Sequence, residues 1–292
     1  MTEEFSYAEF TTRNVGFIST AEQQRLRDAR VLICGVGGMG GACLQALARA
    51  GVCNFAVADF DVFEISNLNR QVFSNLDTVG VSKVDATVSQ VKRINPDIKF
   101  EAFGADWTDR LDDLLARYKI VINGMDDIAA GIALYRKARE YGATVIDAYT
   151  APLPSVTVVG PEDSRPEERL GYPTHGMDCR ALSEKNRQAC LSLEIEYVLV
   201  HSSSAKHVDL DVAKDLMTGK RKRMSFAPMV ITTGNLMAFE ALKLILGRVP
   251  LAGAKGYFFN PWDMRIERPR NPIVAVVILF VVRRFLARLM RA

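Results

Sequence analysis

Four glycines set the chemical possibilities of this chain. Gly35, Gly37, Gly38 and Gly40 follow the apolar run Val31-Leu32-Ile33-Cys34. The pattern predicts a buried parallel strand, a G-x-G-x-x-G turn and a helix reaching about Ala50. Gly35 permits the tight turn, Gly37 lets backbone approach a phosphate, and Gly40 lets the helix pack close to the strand. The helix start adds unpaired N–H groups and about half a positive charge. A second strand, residues 54–59, ends in Asp59, placed for a carboxylate that holds a ribose hydroxyl. To this point a nicotinamide dinucleotide fits as well as any other ligand. The next stretch weighs against it. Asn67 and Arg70 lie just beyond that strand, and Lys83 opens the following helix. A triphosphate carries more negative charge than a dinucleotide and needs such fixed cations, which also stabilise charge developing in phosphoryl or nucleotidyl transfer. Asp126, after a further buried strand at residues 119–123, suits a magnesium–phosphate contact. Its alternative role is a helix N-cap, which the adjacent Asp127 could fill instead.

These residues need a scaffold that brings strand ends together. Ser19-Thr20-Ala21-Glu22 is a capping box for a short helix. Strands at residues 100–102 and 144–147 alternate with helices at 81–94, 109–117 and 128–141. Asn95-Pro96 stops the first of these. Alternation of this kind predicts an α/β, doubly wound, mostly parallel Rossmann-like sheet. Residues 1–18 read as an N-terminal arm and 19–159 as the nucleotide-binding domain. Residues 160–190 read as a mobile crossover loop containing His175, Cys179 and Cys190. Either cysteine is a packed residue or, on the sharper reading, a nucleophile on a loop closing over the site. Residues 191–268 complete the same domain: a strand at 194–201, a helix at 228–246 ended by Gly247, and a hairpin over 256–267 that gives an antiparallel extension. The tail, 269–292, is a hydrophobic helix. Its ten apolar residues 273–282 are too few to cross a bilayer, and the arginines that follow suit an interfacial anchor or a helix packed on a partner.

The formal charge of +3 conceals an asymmetry. Six arginines and no acids lie in residues 268–292, and without them 31 basic residues face 34 acidic ones, a net of −3. Such a body offers no general field for nucleic acid; the basic run at residues 220–223 is a local exception that reads as a solvated loop or helix end. The five cysteines include no C-x-x-C, so no zinc site is expected. The acidic, polar N-terminus carries no signal peptide, which points to a cytoplasmic protein, with attachment to the inner face of a membrane through residues 273–290 as an added expectation.

The ordered set Gly35-x-Gly37-Gly38-x-Gly40, Asp59-x-Asp61, Asn67-Leu68-Asn69-Arg70-Gln71, Gly80-x-x-Lys83, Asn95-Pro96 and Asp126 resembles the ThiF/MoeB/HesA family, relatives of ubiquitin-activating enzymes. The resemblance implies ATP- and Mg2+-dependent adenylation of a carboxylate. It assigns Asp59 to the ribose, Asn67, Arg70 and Lys83 to the phosphates, and Asp126 to the metal. Arg13 matches an N-terminal arginine that reaches the ATP of a partner subunit, which implies a homodimer. Where the family often has Thr-Asp-Asn, this chain has Met125-Asp126-Asp127. Lack of zinc cysteines and the hydrophobic tail resemble the subgroup that dehydrates threonylcarbamoyladenosine in tRNA. The other expected substrate is the C-terminal glycine of a small ubiquitin-like protein. The competing expectations are an NAD-dependent oxidoreductase and a catalytically inactive, membrane-held scaffold of the same fold.

Overall fold

A computed structural model describes residues 4–217, 221 and 224–289. Five parallel strands form its centre: β1 (Arg30–Cys34), β2 (Asn54–Ala58), β3 (Lys99–Phe103), β4 (Ile120–Asn123) and β5 (Thr144–Asp147). They lie in the order β3-β2-β1-β4-β5. The sheet continues antiparallel through β6 (Ser155–Val159), β7 (Tyr257–Asn260) and β8 (Arg265–Glu267). The chain winds outward in one direction from β1 and in the other from β4, so a crevice opens between their carboxyl ends.

Period-two geometry explains why β1 is apolar throughout. Val31 and Ile33 enter one core, whereas Leu32 and Cys34 enter the other. On the first face lie α2 (Thr20–Asp28), α3 (Gly38–Arg49), α4 (Lys83–Lys92) and α10 (Ala227–Ile245), represented by Leu26, Leu44, Val84 and Met237. On the second lie α5 (Leu111–Arg117) and α6 (Ile128–Glu140), through Leu114 and Leu134. The Ser19–Glu22 capping box forms as expected, and Gly247, at φ +69°, ends α10 in the left-handed region. The arm contains α1 (Tyr7–Thr11), tied down by the Tyr7 hydroxyl donating to the Gly51 carbonyl.

The expected strand at residues 194–201 is instead the second half of a helix, α8 (Glu184–His201). Its sequence alternates acids with apolar residues because several neighbours surround it. Glu194 accepts from the Thr150 amide, Glu196 pairs with Arg283, and Tyr197 packs at a tilt against Tyr149. No single apolar stripe results, and the pattern mimics a strand. The expected loop at 160–190 is likewise partly ordered into α7 (Pro166–Arg169), a 3-10 turn at Cys179–Ala181 and the start of α8.

A short helix, α9 (Leu210–Met217), precedes residues 220–223, which fall outside the described residues except for Arg221. The tail forms α11 (Pro272–Leu289), held on α8 by Arg283 against Glu196. Val282 is buried, but Ile273, Val276, Val277 and Phe280 are exposed. No helix among the described residues is long and apolar enough to cross a membrane.

Candidate functional site

The glycine turn closes against the end of β4. Gly35 takes φ +87°, and a Cβ there would lie 2.8 Å from the Gly124 carbonyl carbon. A Cβ on Gly40 would lie 1.9 Å from the Gly35 carbonyl oxygen. Helix and strand therefore approach as no residue with a side chain would allow. Gly37 is the N-cap of α3 and makes no side-chain cap, so the first N–H groups of this helix face the crevice without a side-chain acceptor. Gly38 sits under Val230 of α10, with only 2.5 Å between its would-be Cβ and that side chain.

Asp59 fixes the turn from the β2 side. One carboxylate oxygen accepts from the Val36 amide at 2.9 Å and the other from the Asp61 amide at 3.0 Å. Burial raises its pKa, opposed by those N–H groups and by the Lys83 charge. Lys83 is the first residue of α4, capped by Ser82. Its side chain is buried, and its ammonium donates to Asp61 at 2.7 Å. The Asp61 carboxylate is more exposed than the lysine it holds, so the pair orients the ammonium from the solvent side.

Between β2 and α4 the chain makes a loop. Asn67 is buried there and accepts from the Glu64 amide, so it holds the loop's own backbone. Arg70 donates through Nη1 to the Ser66 carbonyl at 2.7 Å and to Asn69 Oδ1 at 2.9 Å. Gln71 lies against the turn: its amide would be 3.6 Å from a Cβ on Gly37. Its Oε1 is buried and makes no hydrogen bond. Such an atom costs roughly 1–3 kcal/mol unless a ligand or water supplies a donor.

Asp126 is exposed two residues past Gly124. Asp127 fills the N-cap of α6, accepting from the amides of Ala129 and Ala130, and also pairs with Arg187 at 2.9 Å. That leaves Asp126 out of the helix cap. No group of three or more His, Cys, Asp or Glu side chains among the described residues is arranged to hold a metal alone. A single carboxylate nevertheless fits magnesium, which keeps water and phosphate as most of its ligands.

Arg13 stands apart. The arm packs at the far end of α3, where Asn14 donates to the Ala50 carbonyl. The glycine turn is at the other end of this 12-residue helix, roughly 18 Å away at 1.5 Å per residue. Arg13 and its neighbours Val15 and Phe17 are exposed. The chain does not bring Arg13 to its own crevice.

The cysteines are not set up as nucleophiles. Cys190 is buried in α8 with Ala129, Ile132 and Tyr172, and burial pushes its thiol up to about 11. Cys179 accepts from Arg136, yet burial still raises its pKa. His175 is exposed.

Residues 11–273 match the ThiF family. The chain belongs to that family. Over 108 residues it is 42% identical to the molybdopterin-synthase adenylyltransferase of Escherichia coli, a match covering 37% of this chain and 43% of that protein. It is 38% identical over 108 residues to the probable adenylyltransferase/sulfurtransferase MoeZ of Mycobacterium tuberculosis, covering 37% of this chain and 28% of that one. The chain thus spans less than half the length of these curated relatives. Among solved structures, E. coli MccB in complex with MccA-N7isoASN superposes with a TM-score of 0.64 at 20% identity, over 92% of this chain and 74% of that one. The E. coli tRNA N6-threonylcarbamoyladenosine dehydratase gives 0.58 at 16%, over 85% and 98%. At those identities the two structures establish the shared fold alone.

The sequence points to the turn, Asp59, Arg70, Lys83 and Asp126, but gives no role to Gln71, which adjoins Arg70 and lies against the turn.

Proposed function

We propose that this protein uses ATP to adenylate a carboxylate. The observation that supports this best is one connected set of contacts at the crevice between β1 and β4. The glycine turn touches Gly124 and Gln71, Asp59 holds the turn, and Asp61 beside Asp59 orients Lys83. A carboxylate is a poor electrophile because its leaving group would be an oxide. Attack by its oxygen on the α-phosphorus forms the acyl–AMP anhydride and breaks the bond to pyrophosphate, which carries away the electron pair. The chain's share is positioning and charge neutralisation. The start of α3 faces the phosphates, Asp59 the ribose, and Arg70, Lys83 and Asn67 the outgoing pyrophosphate. Mg2+ bound at Asp126 would offset phosphate charge. Removing one such cation should cost about 3 kcal/mol of transition-state stabilisation, a hundredfold or more in rate.

The acyl substrate is the carboxyl end of a small ubiquitin-like protein or peptide, or threonylcarbamoyladenosine in tRNA. The raised thiol pKa values favour release of product without a thioester, so Cys179→Ser should be silent. ATP–pyrophosphate exchange against each substrate class tests the reading. Exchange should depend on the correct carboxylate and drop at least a hundredfold in Arg70→Ala. Undiminished exchange in that variant would overturn the reading.

The remote, exposed Arg13 supports a homodimer in which each arm serves the other crevice. Mixing Arg13→Ala with Lys83→Ala subunits should then restore activity at one site per mixed dimer, and no recovery on mixing would refute it. The exposed apolar side of α11, with Arg284 and Arg288 in its C-terminal half, supports contact with an anionic lipid surface at the inner face of a membrane. Flotation with anionic vesicles should be lost on deleting residues 271–292; equal flotation of both forms would contradict it.

A further inference from the structure

A second cavity, of about 350 Å³, opens where the end of α8, β8 and the link to α11 meet. Its wall carries Lys206, Arg265, Arg268 and Arg270, with His201 and a single carboxylate, Glu267. The volume falls within the range of about 300–1,000 Å³ usual for small-ligand sites.

Glu267 does not balance four cations. Its Oε1 accepts from Arg265 Nε and Nη2, each at 3.0 Å, and from the Ser203 hydroxyl at 2.6 Å. Its Oε2 accepts from the Ser203 amide at 2.6 Å. Arg265 also pairs with Asp263 at 3.3 Å. Lys206 and Arg268 are exposed, and neither side chain has a hydrogen bond or ion pair among the described residues. Arg270 is fixed at its base: its amide donates to His201 Nδ1 at 3.0 Å and its Nε to the Val200 carbonyl at 2.7 Å. It has no carboxylate partner among the described residues. His201 registers the resulting field. Burial, and then the charges of Arg270, Lys255 and Arg169, push its pKa down to about 4. The charges that bear on it are all cations.

Three unmatched cations on one wall suit a dianion better than a single carboxylate. A phosphomonoester carries about −1.5 to −2 charges at pH 7 and three acceptor oxygens, and guanidinium groups match it with paired hydrogen bonds. The position narrows its source. The wall ends at Arg270, three residues before Ile273, a span of at most about 11 Å. Ile273 and Val274 are exposed. An acyl chain attached to the bound phosphate would meet that apolar surface, from which a free phosphate gains nothing.

We propose that this cavity is a phosphomonoester site and that its ligand is the headgroup of an anionic lipid held beside α11. The lipid assignment rests on the reading of α11 as membrane-facing; the phosphate site does not.

Calorimetry on the full chain with glycerol 3-phosphate, a lipid headgroup without its chains, tests the site. The wild type should bind it, and acetate at least tenfold more weakly. The double variant Lys206→Gln, Arg268→Gln should lose at least tenfold in affinity. Both side chains are exposed, so its urea midpoint should match the wild type. Lys83→Met, at the glycine turn, should bind glycerol 3-phosphate as the wild type does. No binding by the wild type, equal binding of acetate, or undiminished binding in the double variant would overturn the site. Flotation identifies the source. The wild type should float more on phosphatidylcholine vesicles carrying phosphatidic acid than on those carrying an equal fraction of phosphatidylserine, and the double variant should lose that excess. Equal flotation on the two would overturn the lipid assignment in favour of a soluble phosphate. Tighter binding of a short RNA than of glycerol 3-phosphate, lost in the same variant, would overturn it in favour of a nucleic-acid backbone. Flotation on neither vesicle, with glycerol 3-phosphate still bound, would instead strike at the membrane reading of α11.

Discussion

Two glycine-to-alanine substitutions in helices should have opposite effects. In α3, a Cβ on Gly40 would lie 1.9 Å from the Gly35 carbonyl oxygen, and real Cβ contacts essentially never fall below 3.0 Å, so that oxygen must retreat by at least 1.1 Å. Its backbone is held in place: the Gly35 amide donates to the Ala58 carbonyl at 2.7 Å, and the turn packs so close to Gly124 that a Cβ there would lie 2.6 Å from the same oxygen. Overpacking of this kind costs about 3 kcal/mol at the upper end of the usual range. Alanine returns about 1 kcal/mol of helix propensity, so Gly40→Ala should destabilise by about 2 kcal/mol. In α6, a Cβ on Gly131 meets only Asn123 Nδ2 at 3.6 Å, an ordinary contact. Gly131→Ala should therefore stabilise by about 0.5–1 kcal/mol. Urea unfolding reads both through the midpoint, at constant slope. Because the displaced carbonyl belongs to the glycine turn, Gly40→Ala should also lose at least tenfold in ATP affinity. Wild-type stability and ATP binding in Gly40→Ala would refute the close-packed turn as the basis of the site.

Burial raises the Asp147 carboxyl from 3.8 to about 7. The folded state then binds more protons than the unfolded one, so this contribution to stability is fully present below about pH 4 and is lost as pH rises through 7. Asp147→Asn should flatten the stability profile across that window; parallel wild-type and variant profiles between pH 5 and 8 would show the carboxyl to be unshifted. Glu167, 3% exposed, binds Arg136 through both oxygens and accepts from Thr174. Glu167→Ala should cost about 3 kcal/mol in urea unfolding by leaving the guanidinium without its carboxylate, and a loss under 1 kcal/mol would show the pair to be solvent-screened.

The parallel half of the fold was legible because its signals are local. Val31 to Gly40 carries strand, turn and helix in one run, and Ser19 with Glu22 marks a helix start without tertiary information. Asp127 was legible as the candidate cap of α6, the role it fills. Residues 194–201 were not, since α8 is contacted by the β5–β6 loop, the hairpin and α11, and burial on several sides erases helical periodicity. Asn67 was given to phosphate, but much of its hydrogen bonding goes to its own loop.

The central claim is that the crevice is built for three phosphates rather than for a dinucleotide. Calorimetric titration of one protein sample with Mg·ATP and with NAD measures this directly. ATP should bind at least tenfold more tightly, and Lys83→Met should remove most of that preference. Tighter binding of NAD, or a preference for ATP that survives in Lys83→Met, would contradict it.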